Sequence, residues 1–410
     1  MSPSTLLTLI VALLCGSFVL DRLLDLLNLS RMKPELPEKL RPFYDEERYR
    51  KSQNYLREKS RFGLLTGALN FVGTLLVLIL GGLGALDSYL RTYVDDPFLL
   101  ALTFFGVLGA ASSIFGMPFS LYSTFVIEEK YGFNKTTFKT WVLDKVKGAL
   151  IGGILGTLIL FAFIWLVDTL KEDFWIWFWA GISMFSLGIQ FFYTTLLMPL
   201  FNKLKPLEPG ELRSAIEAYS TKVGFPLGNI MVMDGSKRST KANAFFSGFG
   251  SQKRIVLYDT LIAQMSQSEI LSVLAHEVGH YKRRHIILGT ILGMLNIGLM
   301  LFVLSRFILL PELSAALGAT TPSIHLSLIA FAMLFSPISE VTGLLMNLLS
   351  RKNEYEADAF ARETCDGPAL ESALIKLHVE TLSNLDPHPA YVFLHYSHPT
   401  LMQRISALRA

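Results

Sequence analysis

Leu274-Ala275-His276-Glu277-Val278-Gly279-His280 is an HExxH pattern inside an apolar run with helical spacing. On a helix, residues four apart lie on one face, one turn apart, so both imidazoles can reach a single tetrahedral zinc. Glu277 then sits where it can take a proton from a metal-bound water. The spacing predicts a helix over 266–281. Ser266 is its expected N-cap, and Glu269, three residues on, completes a capping box. The competing reading is a helix with two surface histidines.

Two ligands do not make a catalytic zinc site, which needs three and an open position. The motif continues as Tyr281, Lys282, Arg283, Arg284 and His285, so the HExxHxxGxxH extension is absent. A second short acidic helix, 351–361, offers the missing ligand. Glu354 and Asp358 share one of its faces. Glu354 would complete a His/His/Glu set. Asp358 could accept a hydrogen bond from the distal nitrogen of a ligand histidine and fix its tautomer. Glu356 points elsewhere, away from zinc.

The chain is too apolar for a soluble protein: mean hydropathy is +0.42 over 410 residues, and 17% are charged. Apolar runs near 4–27, 63–90, 99–126, 148–169, 174–200, 285–311 and 323–349 are each long enough to span a membrane as a helix. The first lacks a basic leader and a cleavage site, so it reads as a retained anchor. Lys and Arg number ten in 28–62, five in 127–147, twelve in 201–284 and six in 350–410. The intervening connections hold at most one. This alternation places the N-terminus outside or lumenal, with HExxH, the 354–358 pair and the C-terminus cytoplasmic. The basic residues serve topology, and the net charge of +3 points to no nucleic-acid partner. Cys15 and Cys365 fall on opposite predicted faces and form no disulfide framework.

The chain divides into 1–62, the first span and its connection; 63–200, spans two to five; 201–284, an insertion with a small sheet and the HExxH helix; 285–349, spans six and seven; and 350–410, a tail. In the insertion, 208–223 reads as a helix and 230–233, 243–247 and 254–258 as short strands, punctuated by Gly235, Gly248 and Gly250. An exposed edge strand beside the zinc helix could hold an extended peptide through main-chain hydrogen bonds. The strands could equally only brace that helix. In the tail, Pro399 suits the first position of a helix carrying Arg404, with His398 just before it. Either could stabilise an oxyanion near zinc; a tail histidine is also commonly structural.

These residues resemble the type I CaaX prenyl proteases, integral-membrane zinc metalloendopeptidases, over nearly the whole length. The likeness rests on Asp234-Gly235-Ser236-Lys237-Arg238-Ser239, Asn243-Ala244-Phe245, Arg254 to Leu261, the HExxH segment, Glu354-Tyr355-Glu356-Ala357-Asp358 and Ser397-His398-Pro399 with Arg404. It implies one zinc per chain on His276, His280 and Glu354, with Glu277 as general base and Asp358 supporting a ligand. It places His398 and Arg404 in the catalytic cleft and Asn243 and Ala244 on a substrate-binding edge strand. It implies a mainly α, polytopic fold: seven transmembrane helices enclose a water-filled chamber, capped by a gluzincin-like protease domain with a small β-sheet. Asn70, Gln190, Glu340 and Asn347 would face that chamber, or bond helix to helix. The implied partners are a peptide or protein substrate, prenylated or not, and membrane lipid. The implied setting is a bacterial inner membrane or the endoplasmic reticulum membrane. Glu356 departs from the family's usual Gln or other neutral residue. The rival readings are a quality-control membrane protease, which has fewer spans, and a transporter or scaffold with a closed structural zinc.

Overall fold

The computed structural model describes residues 1–247 and 254–410; Gly248 and Gly250 lie outside them. Among the described residues, six helical stretches are long and apolar enough to cross a membrane. One of these, Phe138–Phe201, runs for 64 residues and is interrupted at Lys171–Asp173, where Lys171 has φ 52°. The two parts fold back on each other: the Phe163 ring meets both Phe174, at 5.2 Å, and Phe178, at 5.1 Å. The break separates the runs expected at 148–169 and 174–200.

Two other boundaries differ from the expected ones. The run 63–90 is not one helix. Glu46–Ile79 ends before Gly81, whose φ of 68° is the left-handed geometry a glycine adopts freely, and Gly82–Leu90 follows. Gly84 then backs directly onto the main chain of Gly318, where an added Cβ would lie 2.2 Å from the Gly318 carbonyl oxygen. The expected helix over 351–361 is not separate either. It is the end of one 41-residue helix, Ile324–Thr364. At 1.5 Å per residue this is roughly 60 Å long, about twice the hydrocarbon thickness of a bilayer. Glu354 and Asp358 are thus carried on a rigid extension of the last apolar helix.

The soluble part holds a four-stranded sheet in the order β1-β2-β4-β3: β1 is Leu204–Pro206, β2 Asn229–Met233, β3 Ala244–Ser247 and β4 Arg254–Tyr258. The β2/β4 pair is parallel and the other two are antiparallel. β1 was not expected. It has three residues, ends at Pro206 and shows no alternation, and a proline is tolerated because it lies on an edge. One face of the sheet carries Ile230, Ile255 and Leu257. They pack against Ile270, Val273 and Leu274 of the motif helix, Gln267–Lys282. That contact ties the HExxH helix to the sheet. Glu340 accepts a 2.7 Å hydrogen bond from Ser17, and Asn347 donates to the Leu394 carbonyl at 3.0 Å, while Asn70 and Gln190 are exposed.

Candidate metal centre and active site

The motif helix begins as its sequence dictates. The Ser266 side chain accepts from the Glu269 amide, and the Glu269 carboxylate accepts from the Ser266 amide at 2.8 Å. The helix ends at Lys282, Arg284 takes the left-handed conformation with φ 59°, and His285 opens the next helix, His285–Phe307. Its meeting with Ile324–Thr364 is set by two small residues. A Cβ on Gly279 would lie 3.0 Å from the Ala357 Cα, and Ala357 is fully buried. The backbones therefore approach closely there. His276 and His280, on either side of Gly279 along the motif helix, face Glu354 and Asp358, on either side of Ala357.

One Nε2 each from His276 and His280 and a carboxylate oxygen of Glu354 lie within 4.8 Å of one another. His276 Nε2 is 3.2 Å from His280 Nε2 and 3.5 Å from Glu354 Oε2; His280 Nε2 is 3.3 Å from Glu354 Oε1. Two imidazoles and a carboxylate form a donor set suited to a divalent metal such as zinc. Glu354 Oε2 is buried and accepts no hydrogen bond, although Arg404 Nη1 lies 3.3 Å away, and a metal ion would supply the close partner it lacks.

The surrounding shell is built to orient these donors. His276 Nδ1 is 2.8 Å from Asp358 Oδ1, which fixes the proton on Nδ1 and leaves Nε2 as the acceptor. Arg404 donates to both Asp358 oxygens, from Nη2 at 2.6 Å and Nε at 2.8 Å, while its Nη1 is 3.3 Å from Glu354 Oε2. Burial works to lower the Arg404 pKa, but Asp358 and Glu354 raise it further, so the guanidinium stays cationic. Arg404 lines the cleft with all three nitrogens engaged by carboxylates. Its helix, Leu401–Arg409, starts later than expected. Thr400 caps it in a capping box with Gln403, which leaves Pro399 before the cap.

The cleft is a cavity of about 310 Å³ whose lining includes Asn243, Ala244, Glu277 and His398 as well as the three donors. Glu277 is half-buried. Desolvation raises its pKa above the ordinary 4.5, against the lowering by His276 and His280. His398, with a side chain 61% exposed, places Nε2 3.3 Å from Glu354 Oε1. β3 is the edge strand. The Tyr258 amide donates to the Asn243 carbonyl, and antiparallel pairs alternate, so the Ala244 amide faces the unpaired side. There it donates to the Asn243 side chain at 2.9 Å.

Two residues on the far side of His280 were given no role at the site by the sequence alone. His285 Nδ1 lies 3.0 Å from His280 Nδ1, and His285 Nε2 lies 3.1 Å from Glu356 Oε2. Glu356 is not among the grouped donors, yet it reaches one of them through an imidazole. The only hint in the chain was an unexplained carboxylate and a histidine at a helix junction.

The same chain matches two family models in succession. Residues 25–203 match the CAAX prenyl protease N-terminal region, five membrane helices, and residues 206–410 match peptidase family M48. The chain is 36% identical to CAAX prenyl protease 1 homolog of Arabidopsis thaliana, covering 97% of this chain and 96% of that protein. It is 35% identical to CAAX prenyl protease 1 of Saccharomyces cerevisiae, with 91% and 88% covered. A crystal structure of S. mikatae Ste24p superposes with a TM-score of 0.94 at 32% identity, over 99% of both chains.

Proposed function

This chain belongs to peptidase family M48 and is an integral-membrane metalloprotease, and from that premise we propose that His276, His280 and Glu354 hold one zinc ion per chain. The observation that carries the reading is the convergence of three metal donors in a cleft that also holds a free carboxylate and an open strand edge. The metal, when bound, supplies Lewis acidity to a water and to the scissile carbonyl. Glu277 is the general base. It takes a proton from the attacking water on its carboxylate and returns it to the leaving amine, a task favoured by its raised pKa. His398 Nε2 donates to the carbonyl oxygen as negative charge develops there. Arg404 and Asp358 are positioning residues that hold His276 and Glu354. The β3 edge pairs with the substrate backbone through the Ala244 amide, and Asn243 gives up its side-chain bond in exchange.

The substrate is the C-terminal segment of a prenylated protein or peptide, the class that the names of the relatives carry. Seven helices cross the membrane, the 138–201 stretch crossing twice, and they enclose a chamber capped by a gluzincin-like domain. The exposed Asn70, Gln190 and Glu340 on otherwise apolar helices support such a water-filled interior. The site faces the cytoplasm, the side of the basic-rich connections, and the membrane is that of the endoplasmic reticulum or a bacterial inner membrane. The deciding experiment uses the purified full chain with a prenylated C-terminal peptide. Glu277→Ala keeps near-stoichiometric zinc and loses at least about 10²-fold in hydrolysis. Full hydrolysis by the zinc-loaded variant would sink the mechanism.

A further inference from the structure

The helix Glu46–Ile79 changes character along one face. Arg50, Asn54, Arg57 and Arg61 follow one another at three- and four-residue spacing and so share a side, with Lys51 three residues before Asn54 on its edge. The same side continues as Phe62 and Leu65 into the apolar part. This face forms one wall of a groove of about 880 Å³; the other wall is Tyr122, Lys130 and Tyr131. Five cationic side chains line the groove against two carboxylates, Glu47 and Glu58. Glu58 is already engaged, accepting from Lys130 Nζ at 2.7 Å and Tyr131 Oη at 2.9 Å. Arg57 is turned onto the Met32 carbonyl, without a carboxylate partner among the described residues. Arg50, Lys51 and Arg61 are exposed and form no ion pair among the described residues. At the other end of the groove, Leu65 is 56% exposed and Tyr122 45%, and the Phe62 and Tyr122 rings lie 5.0 Å apart.

We propose that this groove binds the headgroup of an anionic phospholipid, with the phosphate beside Arg61, the rest of the headgroup reaching along the helix toward Lys51 and Arg50, and an acyl chain along Phe62, Leu65 and Tyr122. The polar-to-apolar change between Arg61 and Phe62 marks where the helix enters hydrocarbon. A bilayer lipid presents its charge and its chain in that same order. Cations that only set topology need no groove and no apolar continuation. A soluble acidic protein would match the cations but leave Leu65 and Tyr122 uncovered at membrane depth. The groove is on the end of the molecule that carries the metal centre, since Tyr49 of this helix buries in the same cluster as Ala275 and Leu401.

The test uses the full chain in nanodiscs of phosphatidylcholine with a minor fraction of phosphatidylserine, with retained lipid read by native mass spectrometry. The wild type retains phosphatidylserine above its bulk fraction. Each cation removed weakens binding by roughly fivefold, so R50Q/K51Q/R61Q weakens it by about a hundredfold. The control K203Q/K205Q/K237Q removes the same charge from exposed lysines outside the groove and retains the lipid. L65D, at the apolar end, loses it with all the cations present. Wild-type retention by R50Q/K51Q/R61Q overturns the proposal. So does equal loss in the control, which would mean general surface charge. Displacement of the lipid by millimolar inorganic phosphate would assign the groove to a free anion and overturn it too.

Discussion

Arg404→Met removes the only guanidinium among the metal-site residues. Arg404 is 7% exposed, and it faces Asp358 and Glu354, 2% and 4% exposed. The substitution keeps an apolar stem of similar reach but leaves two carboxylates buried without their cation. Breaking a buried pair from one side costs about 3–5 kcal/mol. A bound metal offsets part of this at Glu354 but little at Asp358, whose oxygens face Arg404 and His276 Nδ1. Loss of the Asp358 clamp then frees His276 to turn, and metal affinity should fall about 10- to 100-fold, the range typical of a lost outer partner. Arg404→Lys keeps the charge but not the planar fork, so its loss should lie near the lower end. Zinc affinity measured by chelator competition, with thermal unfolding of the metal-free protein, checks both parts. A residue whose only work was on the substrate oxyanion would lower kcat and leave zinc affinity alone. Wild-type zinc affinity and stability in Arg404→Met would refute the positioning role.

Three further outcomes are expected. Glu354→Ala should strip the metal, whereas Glu356→Ala, acting only through His285, should weaken zinc binding by about tenfold at most; metal analysis showing the reverse order would reassign the ligand. Ala244→Pro removes the outward amide of the edge strand without breaking a β3–β4 hydrogen bond, so kcat/KM on a peptide should drop at unchanged zinc content; unchanged kinetics would exclude this strand from the binding site. Burial works to raise the Glu269 pKa, but Lys376, Ser372 and Ser266 overcome it and hold the carboxyl at about 2, below its ordinary 4.5. Its folded pKa is depressed, so its contribution is present above pH 4.5 and is lost as pH falls from there toward 2. With Lys376 partly exposed, the contribution is about 2 kcal/mol. The thermal midpoint of wild type should converge on that of Glu269→Gln as pH falls from about 4.5 to about 2, and parallel curves would contradict the assignment.

The sequence by itself determined what depends on local spacing. Helical periodicity put His276 and His280 on one face, and Ser266 with Glu269 marked where that helix starts. The four-residue interval singled out Glu354 and Asp358. Apolar run length marked the membrane helices, because hydrocarbon thickness sets a minimum length. Boundaries were less legible where no local residue type enforces them: nothing near residue 350 stops the last apolar helix, so it runs on to Thr364. Tertiary structure alone decided which groups meet across the fold. Gly279 against Ala357 sets the distance between the two ligand helices. The edge position of β3 depends on a pairing order that skips along the chain. The engagement of Arg404 by Asp358 and Glu354, and the contact from Glu356 through His285 to His280, join residues far apart in sequence. Such contacts follow from packing four helices around one small cavity, and periodicity along a single helix carries no record of them.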